Sequence, residues 1–142
     1  MRLLFLMVFM FTSNIYAGHH STNKDEQIIF LLDLEVIEGK QNQVDDLIDR
    51  LVENVKKTEP DTIIYEYYAS SEDRIFLYEV YKNHEAAEFH VDQFMQGSLM
   101  PIFVDTFSVV TFEVLGSTSD VLKEKMKDFT RDHRPKTDGF KR

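Results

Sequence analysis

Cysteine is absent from the 142-residue chain, so no disulfide can brace it, no thiolate can attack a substrate and no structural thiolate zinc site can form. Positive charge is scarce: 16 Lys and Arg stand against 25 Asp and Glu. The formal net charge of −9 opposes nucleic acid and anionic membrane surfaces as partners. Long apolar runs are missing as well. The longest, Leu3 to Phe11, has nine residues, against the roughly 20 that a bilayer-spanning helix needs. No internal repeat or low-complexity tract is visible.

That apolar run has a different reading. Met1-Arg2 precedes it as a short basic segment, and Thr12 to Ala17 follows as a polar stretch ending in a small residue. This is the layout of a secretory signal peptide over 1–17, cut after Ala17, with an uncleaved anchor as the alternative. The expectation is a secreted or periplasmic protein of one domain, with no stable membrane association after cleavage. Loss of Arg2 takes its net charge to −10. Gly18 to Glu26 is polar and reads as a flexible arm. A chain beginning Gly18-His19-His20 could offer its amine, two amide nitrogens and the His20 imidazole, with His19 between, as a square-planar nest for Cu(II) or Ni(II). An incidental solvated His pair is the other reading.

Gln27 to Ile37 is apolar on both faces, as a central strand is. Val44, Leu47, Ile48, Leu51, Val52 and Val55 then recur with helical spacing, and Glu59-Pro60-Asp61 stops the helix. Thr62 to Ala69 and Arg74 to Tyr81 read as a hairpin. A two-residue loop at Ser71-Glu72 would set Tyr65 opposite Tyr78 and Tyr67 opposite Phe76 on one face, leaving Ile64, Leu77, Glu79 and Tyr81 on the other. Asn83 is a helix cap before the stripe Ala87, His90, Val91 and Phe94. Further helix is expected within Ser98 to Thr106, and a strand over Phe107 to Leu115 closed by Gly116.

The order β-α-β-β-α-β is that of a ferredoxin-like α+β sandwich over 27–115. Two helices cover one sheet face, so the aromatic face with Tyr65, Tyr67, Phe76 and Tyr78 predicts a homodimer in which two sheets close an α+β barrel. Residues 116–142 add a C-terminal helix, starting near Ser119 and carrying Leu122, Met126 and Phe129, and a frayed basic tail.

Gly39-Lys40 before the long helix, Glu59-Pro60-Asp61-Thr62 leading to Tyr65-Glu66, the strand Leu77-Tyr78-Glu79-Val80-Tyr81 and the His90 helix together resemble the antibiotic biosynthesis monooxygenase domain, including its quinol monooxygenase branch. The resemblance implies a dimeric α+β barrel with a pocket between helices and sheet. It also implies oxidation of electron-rich phenols or quinols by molecular oxygen without metal, flavin or other cofactor. Glu79 and His90 match the family pattern. Tyr81 stands where many relatives carry Trp, which this chain lacks altogether, and that weighs against haem degradation.

Such chemistry requires a base, an orienting acceptor and a dry cavity. His90 is the candidate base, Glu79 the carboxylate that stabilises its imidazolium, and Tyr81 a donor to a substrate oxygen. Ile64, Leu77, Val91, Phe94 and Phe103 are the candidate apolar walls for a small aromatic substrate. Two alternatives stand beside this reading. His90 and Glu79 could be a buried structural pair, or the pocket could bind a quinone, haem fragment or signal molecule without turnover.

Overall fold

The computed structural model describes residues 26–140. The expected signal peptide over 1–17, the arm before Glu26 and the His19-His20 motif lie outside the described residues. One five-stranded sheet has the order β2-β3-β1-β4-β5, formed by β1 (Ile28–Val36), β2 (Thr62–Ser71), β3 (Arg74–Tyr81), β4 (Phe107–Leu115) and β5 (Asp132–Arg134). All pairings are antiparallel except β4 with β5. β1 is central, as its two apolar faces require. Its alternate residues Ile28, Phe30, Leu32, Leu34 and Val36 are all buried against the helices.

Those helices are α1 (Val44–Thr58), α2 (His84–Gln96), α3 (Met100–Thr106) and α4 (Asp120–Met126). α1 begins with Asp45 and Asp46 and ends with Lys56 and Lys57, an arrangement that suits its dipole. It buries Val44, Leu47, Leu51 and Val55, each worth about 1.5–3 kcal/mol. The Asn83 side chain accepts from the Ala86 amide at 3.0 Å and fixes where α2 starts, hence which residues it turns inward.

The hairpin differs from expectation. Glu72 and Asp73 form its turn, Ser71 pairs with Arg74, and an irregularity lies between Ala69 and Ser71. Tyr65 therefore faces Glu79 and Tyr67 faces Leu77 across the ladder. Because strand side chains alternate with period two, this one-residue displacement exchanges the faces of β2. Tyr65 and Tyr67 turn inward and pack against the core, while Ile64 moves to the outer face beside Val80. Phe76 and Tyr78 keep their outward position.

The C-terminal segment is more ordered than its composition implies. Ser119 caps α4 by accepting from the Leu122 amide at 3.0 Å, and Leu122 and Met126 are fully buried in the common core. α4 ends at Met126, before Phe129. Residues expected to fray instead form β5, where the open edge of β4 supplies partners for Asp132, His133 and Arg134. The Thr130 hydroxyl donates to the Phe112 carbonyl at 2.5 Å just ahead of it. Between β4 and α4, Gly116 has φ +112, and a Cβ there would lie 2.6 Å from the Gln27 carbonyl oxygen. Only glycine makes that turn without strain.

Leu122→Ala is expected to cost about 2–4 kcal/mol in urea unfolding. Val121→Ala, at an exposed position of the same helix, should stay within about 0.5 kcal/mol. Equal effects would show that α4 is not part of the core.

Candidate functional site

α2 carries His90 inward over β3, whose alternation sends Glu79 and Tyr81 to the same side. α1 supplies a second carboxyl at its C-terminal end. Glu59 is four residues beyond Val55 and so continues the buried stripe, and its amide closes the helix on the Val55 carbonyl at 2.9 Å. Glu59, Glu79 and His90 are 5%, 3% and 6% exposed.

The three form one array. His90 Nδ1 lies 2.8 Å from Glu59 Oε2, which also accepts from the Thr62 hydroxyl at 2.9 Å. On the other side His90 Nε2 stands 3.8 Å from Glu79 Oε1, too long for a hydrogen bond. Glu79 Oε2 accepts from the Tyr81 hydroxyl at 2.9 Å. With Glu59 accepting the Nδ1 proton, Nε2 carries the free lone pair of the neutral ring. Phe94 stacks parallel to the imidazole at 6.3 Å, and Tyr81 and Tyr65 flank it at 5.1 and 5.8 Å.

Burial by itself disfavours the charged imidazole. The opposing charge of Glu79, the hydrogen bond to Glu59 and the charge of Glu59 outweigh it and raise the His90 pKa. Glu79 is raised too, because burial outweighs the stabilisation by His90 and Tyr81. Tyr65, Tyr67 and Tyr81 are all pushed up, chiefly by burial, and stay protonated.

Beside this array is a cavity of about 80 Å³ between sheet and helices. A water needs roughly 10–15 Å³ on the same measure, so a small organic molecule has room. Leu77, Val91, Phe94 and Phe103 line it as expected, and His90 and Glu79 reach into it. Ile64 does not, since the register shift places it across the sheet. Tyr81 is fully buried and bonded to Glu79, so it orients that carboxyl and offers nothing to the cavity. A second cavity of about 50 Å³ borders the opposite side of His90, with Glu59 and Asn54 in its wall. Among the described residues no group of three or more His, Asp and Glu is arranged to hold a metal ion.

Two residues of the site escaped sequence reasoning. Glu59 looked like part of a helix stop, although the four-residue steps from Leu51 to Val55 and from Val55 to Glu59 were a legible signal that it shares their buried stripe. Tyr65 looked like an interface residue because the hairpin register was one residue out. It lines the cavity, with its hydroxyl 3.1 Å from that of Tyr67.

Fold and site together define a small ferredoxin-like α+β protein with an imidazole–carboxyl array at the wall of an apolar cavity. Residues 28–94 match the family model described as antibiotic biosynthesis monooxygenase. No curated protein matches it. Among solved structures, MupZ from Pseudomonas fluorescens superposes with a TM-score of 0.73 at 18% identity, covering 82% of this chain and 95% of that one. Rv0793 from Mycobacterium tuberculosis gives 0.55 at 13%, covering 67% and 98%. A candidate antibiotic biosynthesis monooxygenase from Caulobacter crescentus gives 0.53 at 17%, covering 68% and 93%. At such identities the likeness is one of fold. The 82% match to MupZ is longer than the stretch from β1 to β4, so it runs past the ferredoxin-like core.

A group whose pKa rises on folding stabilises the fold fully below its unfolded pKa and loses that contribution as pH rises through the folded value. His90, faced by Glu59, Glu79, Tyr65 and Tyr81, therefore contributes below about pH 6.5 and less above it. Glu79 adds a slope of the same sign from about pH 4.3 upward. His133, lowered chiefly by burial, contributes the opposite sign. Urea unfolding from pH 5 to 9 should show the decline above 6.5 diminished in His90→Gln; an unchanged decline would place its origin elsewhere.

Proposed function

We propose that this protein is an exported, cofactor-independent monooxygenase acting on a phenolic or quinol-type compound. One observation carries the reading: in a stretch that matches this family's model, His90 presents Nε2 at the wall of an apolar cavity while a buried carboxylate holds Nδ1. The quinol hydroxyl gives its proton to Nε2, and Glu59 and Glu79 stabilise the imidazolium between them. The electron-rich anion passes one electron to molecular oxygen, leaving an aryloxyl radical beside superoxide. These combine at a ring carbon, and the imidazolium returns its proton to the peroxide oxygen to give a hydroperoxide. Loss of water then yields the hydroxyquinone, so one oxygen atom enters the product, the other leaves as water, and the substrate supplies every electron.

Assembly is the second part of the proposal. The outer sheet face exposes Phe76 and Tyr68 beside the half-buried Leu31 and Tyr78. A second copy packed there would close the barrel that the family resemblance implies. The supporting residues are fewer than expected, because Tyr65 and Tyr67 turn inward.

Oxygen uptake with hydroquinone should fall about 10²–10⁴-fold in kcat/KM in His90→Ala. Glu59→Gln should lower kcat more than it raises KM and displace the acidic limb of the pH–rate profile. Full activity of His90→Ala would sink the base assignment, and ligand-induced stabilisation without oxygen uptake would assign the cavity to binding alone.

Light scattering combined with intact mass should find a dimer of chains starting at Gly18 in protein recovered from the exporting host, and a monomer in Phe76→Glu. A monomeric native protein or a retained N-terminus would overturn the corresponding part.

A further inference from the structure

The cavity has two unlike ends. At the inner end stand His90, Glu79 and Tyr65. At the outer end Met95 of α2, Val104 of α3, Val109 of β4 and Phe129 beyond α4 line the cavity and are also 43%, 48%, 42% and 36% exposed. Scattered apolar side chains on a surface are ordinary. Four converging from separate elements on the mouth of a cavity are not. Apart from His90 and Glu79, no charged side chain among the described residues lines the cavity, so an anionic group would find no counter-ion there.

A compact quinol held against His90 would leave this rim in water, where each apolar side chain forgoes burial. A longer molecule would cover it. We propose that the site takes amphiphilic phenols or quinols, with the ionisable head against His90 and an uncharged alkyl or prenyl chain leaving across Met95, Val104, Val109 and Phe129. The orientation rests on the reading of His90 as the residue that receives the hydroxyl. In this arrangement Phe129, contributed by the C-terminal segment, sets selectivity for the chain and takes no part in the reaction.

The test is anaerobic calorimetric titration of the full protein with hydroquinone and its 2-alkyl derivatives from methyl to hexyl. Kd should tighten about fourfold per methylene, the equivalent of burying one CH₂, until the chain passes the rim. Val104→Asp and Phe129→Asp should reduce that increment to below about 1.5-fold. Equal affinity for the methyl and hexyl compounds would overturn the proposal, and so would rim variants that keep the native increment. A flat series with Val104→Asp turning monomeric would overturn it too, by showing that a second copy covers the rim. Oxygen is excluded, so the outcomes separate: a steep series without later oxygen uptake keeps the rim assignment and sinks the monooxygenase, whereas uptake with a flat series does the reverse.

Discussion

An imidazole held between two buried carboxyls is the constraint on which the rest of the structure turns. Taking three ionisable groups out of water is unfavourable unless they compensate one another, and removing one partner would strand the others. Glu59, His90 and Glu79 come from the end of α1, from α2 and from β3, so the array forms only when both long helices are docked on the sheet in one register. Tyr81 and Thr62 complete it by donating to the two carboxyls. Site geometry and fold geometry are thus the same requirement.

The surroundings are as apolar as the array is polar. Phe30, Leu77, Val91, Phe94 and Phe103 leave His90 and Glu79 as the charged groups at the cavity wall. A low-dielectric site strengthens each remaining electrostatic interaction, a condition that the proposed proton transfer to His90 would use. The C-terminal segment takes part in this enclosure. Met126 is buried in the common core, Phe129 stands at the opening, and β5 ties both to the sheet edge.

Much of this was legible in the residues. The helical stripe from Val44 to Val55, the doubly apolar β1, the Asn83 and Ser119 caps and the inward placement of His90 follow from periodicity and capping chemistry alone. Three features were not legible. β5 is short and polar, and it exists because β4 presents an open edge, a property of the sheet and not of residues 132–134. Ile64 and Tyr65 exchanged faces because one bulge near Ala69 shifts the strand pairing by a residue, and a period-two element converts that displacement into a complete reversal. Glu59 acquired its role from His90, 31 positions away in the chain.

Local spacing therefore determined the elements, their order, the α+β class and the two most distinctive polar residues, because those depend on periods of 2 and 3.6 that each segment expresses by itself. Tertiary structure alone decided which carboxylate holds His90 and which tyrosine faces the cavity. It also decided that Met126 and Phe129 of the C-terminal segment would wall the cavity. Each of these depends on contacts between segments distant in sequence, whose geometry is set by strand register and helix docking and is written in no single stretch of the chain.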